Sequence, residues 1–415
     1  MLAIITLLLI IDLYTFKGVQ LLLSGTDTVT VKRITRISYW AITFLVLGTT
    51  VAVMLLAPAE RNPKLMVRFF LLAGITLTIY LPKIFFNGFH LTEDIGKLLS
   101  LGIARLFHHG QESFSITAHK ILRFKLLSQI GMVLAIVPFI ALMMGMIKGR
   151  FDFRTEFLKP AFEYLPPAFD NLRIVQISDL HIGSFYGQED EVKKAISMIN
   201  KLEPDILVFT GDIVNDYAEE LDGWVPILRQ LNARIGKYSI LGNHDYGDYY
   251  QWESMEAKKN NMERLIALHG DIGFRLLLNE SVTIERDSQQ ITIMGVENWG
   301  KPPFAQYGNL KKAMNGINQQ SFKILLSHDP SHWDAEVREK TNIDLTLSGH
   351  THGLQLGIKI GRWQWSPVKW KYKRWNGMYR EGNQMLYVNR GLGFIGYPGR
   401  VGMTPEISVF DLTYR

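Results

Sequence analysis

Two uncharged apolar runs, residues 37–57 and 126–147, constrain what this chain can become more than any other feature. Each is long enough to cross the hydrocarbon core of a bilayer as one helix, which takes about 20 apolar residues. Soluble cores rarely hold two runs of this kind. Two further apolar stretches occupy residues 2–23 and 69–86; the first is interrupted by Asp12 and Lys17, and the second carries Pro82 and Lys83 near its end. The sequence therefore predicts an all-α transmembrane region of about four helices over residues 1–150. Residues 1–23 do not read as a cleaved signal peptide, because no basic segment precedes the run and no small-residue site ends it. Asp12 and Lys17 are expected to be a paired detail of the bundle without catalytic importance. In the connector 87–125, residues 95–107 place Ile95, Leu98, Leu99, Ile103, Leu106 and Phe107 at helical spacing, as in an interfacial amphipathic helix or one packed on the bundle. His108 and His109 point apart on a helix and are read as interface residues rather than ligands.

Charge divides the chain at the same place. Residues 1–150 hold 15 Lys and Arg against 6 Asp and Glu, whereas residues 151–415 hold 30 against 33. Basic residues beside apolar stretches suit membrane topology and lipid headgroups. A nucleic-acid enzyme would concentrate its basic charge on the other part, so no nucleic-acid partner is expected. The basic residues flanking four spans are split almost evenly between the two sides, so they do not orient the protein. The chain contains no cysteine, which excludes disulfides, thiolate metal sites and a Cys nucleophile.

After residue 150 the texture changes. Residues 151–171, which include Pro166-Pro167, read as a linker. Beyond them short β-branched runs at 173–178, 205–210, 237–241, 291–296, 322–327 and 344–348 alternate with helical patterns at 189–201 and 252–269, predicting an α/β domain over 172–415. Polar residues gather where strands end: Asp179-Leu-His181, Gly211-Asp212, Gly242-Asn243-His244-Asp245, His328, and Gly349-His350-Thr-His352. In extended chain, residues i and i+2 face the same way, so Asp179 with His181 and His350 with His352 could each grip one cation. Strand C-terminal ends form the ligand crevice of an α/β sheet. Oxygen and imidazole donors suit Mn, Fe, Zn or Ni without distinguishing them. Each block alone is an ordinary turn; five in order, each at a strand end, are specific.

Together these blocks resemble the signature of the calcineurin-like metallophosphoesterases. Gly353-Leu-Gln355, Leu386-Tyr-Val-Asn-Arg-Gly-Leu-Gly393 and Thr404-Pro-Glu-Ile-Ser408 resemble a membrane-anchored bacterial branch of that family. The resemblance covers roughly residues 170–415 and departs at Leu354, where a second glycine is expected. It implies a four-layer α/β/β/α sandwich and a site for two divalent metal ions. Asp179, His181 and His352 would hold one ion, Asn243, His328 and His350 the other, and Asp212 would bridge them. His244 would donate a proton to, or stabilise charge on, the leaving oxygen, with Asp245 orienting it. Gln355 and Arg390 are candidate substrate contacts because they lie beside the later motifs. The implied reaction is hydrolysis of a phosphate monoester or diester by a metal-bridging hydroxide.

The alternatives are a pyrophosphatase acting on a nucleotide-linked lipid of the lipid A precursor type, and a membrane sensor or scaffold that only binds phosphate groups. Confinement at a bilayer favours a lipid-linked substrate, and the expected location is the bacterial inner (cell) membrane. Oligomeric state is not legible. Gly391, Gly393 and Gly396 spell a dinucleotide fingerprint, but Tyr397-Pro398-Gly399 follow where a helix must open, so these glycines are read as letting a loop pass close to the metal site. The aromatic and basic segment 361–380, including Arg362, Trp363, Trp365, Lys369, Trp370 and Lys373, fits membrane contact, single-stranded nucleic acid or an ordinary solvated loop.

Overall fold

The computed structural model describes residues 2–56, 63–107, 121, 124–361 and 363–415. The chain forms two compact units, one of Met1–Glu60 with Arg68–Met144 and the other of Arg61–Val67 with Gly145–Arg415.

The first unit contains helices Leu2–Leu22, Val29–Leu56 and Pro63–Phe107, followed by Leu126–Ile147. All four are long and apolar enough to cross a membrane. Their surfaces expose Leu13, Leu45, Val133 and Val137, while the interior holds Asp12, Thr43, His90 and Glu93 beside Phe86 and Leu142. Apolar side chains turned outward suit a hydrocarbon solvent, in which helices pair their backbone groups internally. Asp12 is fully buried and accepts from Tyr80 Oη at 2.6 Å, Thr43 Oγ1 at 3.0 Å and Tyr39 Oη at 3.1 Å. Its ion-pair partner is Lys83 at 2.5 Å, not Lys17, which pairs instead with Asp94 at 2.6 Å. Asp12 therefore pins three helices rather than forming a local pair.

The segment expected as a connector with a separate helix at 95–107 is instead the second half of the Pro63–Phe107 helix. Its charges find partners both within the helix and across to the first one: Glu93 pairs with Lys97 at 2.7 Å, four residues on, and Asp94 with Lys17. His108 and His109 lie outside the described residues. Replacing Lys83 with Met should cost about 3–5 kcal/mol, because it strands the buried Asp12 charge. The check is the thermal unfolding of detergent-solubilised protein, with Asp12→Asn/Lys83→Met recovering part of the loss.

In the second unit, residues 151–171 are not a linker. Strand β1 (Arg154–Leu158) pairs parallel with β15 (Glu406–Asp411), β2 (Ala161–Phe162) pairs with β16 (Thr413–Tyr414), and Phe153, Phe162, Leu165 and Phe169 are buried. Their spacing lacks a clean period of two, so periodicity alone could not show strands. The next strands are β3 (Arg173–Ile177), β4 (Ile206–Phe209), β5 (Gly236–Ser239) and β6 (Arg275–Leu276). They build a six-stranded sheet in the order β1-β15-β3-β4-β5-β6. The second sheet uses β7 (Glu280–Arg286), β8 (Gln289–Gly295), β9 (Phe322–Leu326), β10 (Leu345–Ser348), β13 (Gly377–Glu381) and β14 (Gln384–Val388). Its order is β13-β14-β10-β9-β8-β7. A small hairpin, β11 (Ile358–Ile360) with β12 (Trp363–Trp365), stands apart from both.

The alternation along the strands explains the layering. Ile206 and Val208 of β4 join Ile324 and Leu326 of β9 and Leu345 and Leu347 of β10 in a core between the sheets. Leu207 and Phe209 face the other way, onto Ile196 and Ile199 of helix Glu189–Lys201 and Leu265 of helix Met255–Ile272. Behind the second sheet, Leu325 and Leu386 pack on Trp333 and Leu310. Period-two burial on both faces yields the α/β/β/α sandwich.

Candidate metal centre

Each candidate ligand follows a strand end. Asp179 and His181 follow β3, Asp212 follows β4, Asn243 and His244 follow β5, His328 follows β9, and His350 and His352 follow β10. The first three strands belong to one sheet and the last two to the other, so the site lies where the C-terminal ends of both sheets meet.

These residues are not in extended chain. Asp179, His181, Asp212, His350 and His352 have φ of 50°, 47°, 60°, 71° and 50°, in the left-handed region that side chains with a Cβ avoid. Each such residue costs on the order of 1–2 kcal/mol, and their clustering marks a functional site. Hydrogen bonds hold the turns: Asp179 N donates to Gly211 O at 2.9 Å, His181 N to Asp212 O at 3.1 Å, and His350 N to both Asp179 carboxylate oxygens at 3.0 and 3.1 Å. Two glycines are required by space. A Cβ on Gly242 would collide with the Asp212 carboxylate, and one on Gly349 with that of Asp179.

Two ligand sets converge. Asp179, His181 and His352 form one group, and Asp212, His328 and His350 form the other. His352 Nε2 lies 3.2 Å from Asp179 Oδ1 and 3.1 Å from His181 Nε2. His328 Nε2 lies 3.1 Å from Asp212 Oδ2, out of line for a hydrogen bond. Asn243 joins the second set, with Oδ1 2.8 Å from His350 Nδ1. The donors are oxygen and imidazole nitrogen, and all are buried except the half-buried His350. Two carboxylates and several ring nitrogens forced together out of water fit divalent cations, which supply the missing positive charge.

The charges show the same need. Burial alone would raise the Asp212 carboxyl, but His328 and His244 outweigh it and hold it well below the usual range. Burial alone would lower His328, yet Asp212 overrides it and pushes the imidazole up to about 10. Burial holds His350 down to about 4 and His181 well below its ordinary value. Neutral rings are ready ligands, whereas His328 must first lose a proton.

Neighbouring main-chain and side-chain groups set these rings. His328 Nδ1 donates to Thr210 O at 2.7 Å, which directs Nε2 at Asp212. His350 Nε2 lies 2.7 Å from Tyr372 Oη, which leaves Nδ1 beside Asn243. Asn243 Nδ2 donates to Tyr249 Oη at 3.0 Å. Arg400, fully buried, reaches His352 Nδ1 at 3.1 Å and the Arg390 carbonyl at 2.8 Å. Sequence reading missed Tyr372, Tyr249, Thr210 and Arg400. Tyr372 lay in the aromatic and basic segment 361–380 but carried no spacing signal of its own, and Arg400 had none.

Three site assignments change. Asp245 does not orient His244; its carboxylate accepts from the N–H groups of Gly242 and Asp212, both at 2.8 Å, Ile213 at 2.9 Å and Val214 at 3.3 Å. It staples two ligand loops, and the His244 ring is held by Asn215 O at 2.7 Å. Gln355 is buried and spends its amide on Tyr397 O, Gly399 O and Ile395 N. Arg390 is buried between Glu156 and Glu406, each at 2.9 Å. Both are structural ties rather than substrate contacts. Leu354 takes the left-handed turn that a glycine would suit, with φ of 55°, and remains half exposed. Gly391 and Gly393 do let their loop pass against Asp179 and Leu180.

Residues 172–354 match the family described as Calcineurin-like phosphoesterase, and residues 1–150 match Probable Calcineurin-like phosphoesterase, transmembrane domain. An uncharacterized metallophosphoesterase of Bacillus subtilis, YkuE, is 35% identical over 254 residues, 60% of this chain and 81% of that protein. The chain belongs to the calcineurin-like phosphoesterase family. A transmembrane protein with metallophosphoesterase domain from Danio rerio is 30% identical over 256 residues, covering 59% of this chain and 54% of that one, so the chain spans about half of that relative. An uncharacterized metallophosphoesterase of Aquifex aeolicus is 28% identical over 281 residues, 66% of this chain and 98% of that protein. This metallophosphoesterase is a metal-dependent phosphoester hydrolase and a membrane protein.

Because a cation must displace the His328 proton, metal affinity should rise about tenfold per pH unit through the neutral range. Competition with a chelating dye measures the slope. A flat profile would show that no proton is exchanged.

Proposed function

We propose that the chain hydrolyses a phosphate monoester or diester at a two-cation centre. Asp179, His181 and His352 hold one cation, Asn243, His328 and His350 hold the other, and Asp212 bridges. The observation that carries this reading is the position of Asp212. Its Oδ2 lies 3.1 Å from His328 Nε2 in one ligand set and 3.7 Å from His181 Nε2 in the other. One carboxylate thus faces both sets, as a bridge must. When bound, the cations would polarise the phosphoryl oxygens and lower the pKa of the attacking water.

The remaining task belongs to His244. Its main-chain N–H donates to Asp212 Oδ1 at 2.9 Å, which fixes the residue to the centre. Its Nδ1 donates to the Asn215 carbonyl at 2.7 Å, and a carbonyl can only accept. The Nδ1 proton therefore stays in place, and Nε2 is the nitrogen that exchanges one. With its ring 4.9 Å from that of His181, His244 borders the ligand cluster and can protonate the leaving oxygen. The four apolar helices keep the enzyme at a bilayer, which supports a lipid-linked substrate.

The test uses full-length protein in detergent with Mn supplied, an aryl phosphodiester with a 4-nitrophenolate leaving group, and an alkyl phosphodiester. Asp212→Ala should lose metal and all activity. His244→Ala should lose about 10²–10⁴-fold on the alkyl ester and far less on the aryl ester, since nitrophenolate leaves without a proton. Equal losses on both would remove His244 as proton donor. A metal-loaded wild type inert toward both would overturn the simple ester reading.

A further inference from the structure

The β11–β12 hairpin is amphipathic with its faces reversed. The register pairs Ile358 with Trp365, Lys359 with Gln364 and Ile360 with Trp363. Side chains alternate across a strand, so Ile358, Ile360, Trp363 and Trp365 share one face, and Lys359 and Gln364 share the other. The polar face is the one tied to the protein. Lys359 Nζ lies 3.2 Å from Glu156 Oε1, which also pairs with Arg390, and Gln364 accepts from Asn376. The apolar face is turned out: Ile358 is 49% exposed, Ile360 69% and Trp363 56%. Trp370 extends the patch, 78% exposed and edge-on to Trp365 with ring centroids 5.7 Å apart.

A hairpin of two three-residue strands is marginal in water. Here Gln364 and the partly exposed Lys359 tie it to the protein, while Ile358, Ile360 and Trp363 face outward and Trp365 is half-buried. We propose that this face is a docking surface for the headgroup–acyl boundary of the bilayer. Three observations select lipid as the occupant. Trp with Ile beside Lys is the composition of membrane interfaces, where an aromatic ring sits at headgroup depth. Lys369 and Lys373, both exposed, flank Trp370 and provide charge for anionic headgroups. A bilayer is available by connectivity: the main segment of the compact unit that carries the hairpin, Gly145–Arg415, starts within the apolar helix Leu126–Ile147.

The surface is also wired to the ligand loops. Ser366 Oγ donates to Gly353 O at 2.7 Å, Thr351 Oγ1 donates to Trp375 O at 2.7 Å, and Tyr372 holds His350. Docking at residues 358–370 would therefore place the β10 ligand turn beside the membrane surface.

The chain has no cysteine, so a single introduced cysteine can be labelled uniquely. Full-length Ile360→Cys and Trp363→Cys, each carrying a nitroxide, would be reconstituted in nanodiscs of phosphatidylcholine and phosphatidylglycerol. Asp287→Cys, in the exposed β7–β8 turn, serves as the control. Docking predicts that labels at 360 and 363 are reached by oxygen and lose access to an aqueous nickel chelate, whereas the label at 287 keeps it. Chelate access at 360 and 363 equal to that at 287 would overturn the proposal. So would shielding that persists in detergent without lipid, accompanied by dipolar broadening between labels, since that would assign the face to a second copy of the chain.

Discussion

Asp212 is a carboxylate buried among imidazoles, and the architecture of the catalytic unit can be read as the means of keeping it there. A charge out of water needs compensation. One oxygen takes the His244 main-chain N–H, and the other faces His328 and His181. Around it the fold removes whatever would interfere: Gly242 has no Cβ to strike the carboxylate, and Asp245 collects four N–H groups so that both adjoining loops keep their shape. Asp245 is itself pushed up to about 7 by burial and by the nearby Asp212 charge. Asp179, Asp212 and Asp245 are thus three carboxylates buried close together, a condition that divalent cations relieve.

The sandwich explains how one carboxylate can serve two ligand sets. A single sheet would present its strand ends in one row. Two sheets packed across a shared core bring the ends of β3, β4 and β5 against those of β9 and β10. The left-handed turns after β3, β4 and β10 then aim the ligands inward. Their strain is tolerated because the strands behind them are buried on both faces and do not yield.

The membrane unit obeys the same electrostatic rule in a different solvent. Asp12 there is satisfied by Lys83, two tyrosines and a threonine drawn from two other helices. In both units, buried charge specifies which elements meet. Outward apolar residues on the bundle, and the outward face of the β11–β12 hairpin, mark surfaces for which lipid rather than protein is the natural complement.

Much of this was legible in the chain alone. Run length and scarcity of charge determined the four apolar helices, because hydrophobic thickness is a one-dimensional requirement. Alternating apolar strands determined the catalytic α/β unit, and the placement of Asp, His and Asn at successive strand ends determined which residues would meet. Tertiary structure decided the rest, since it depends on what lies across space. Lys83, not Lys17, answers Asp12 because helical packing overrides sequence proximity. Phe153 and Phe162 belong to the core because β1 and β2 find their partners in β15 and β16, far along the chain. Asp245, Gln355 and Arg390 looked functional beside their motifs and proved to be ties, because their hydrogen bonds are spent on loops. Tyr372 and Arg400 had no pattern to announce them, and only the fold brings them to the rings they hold.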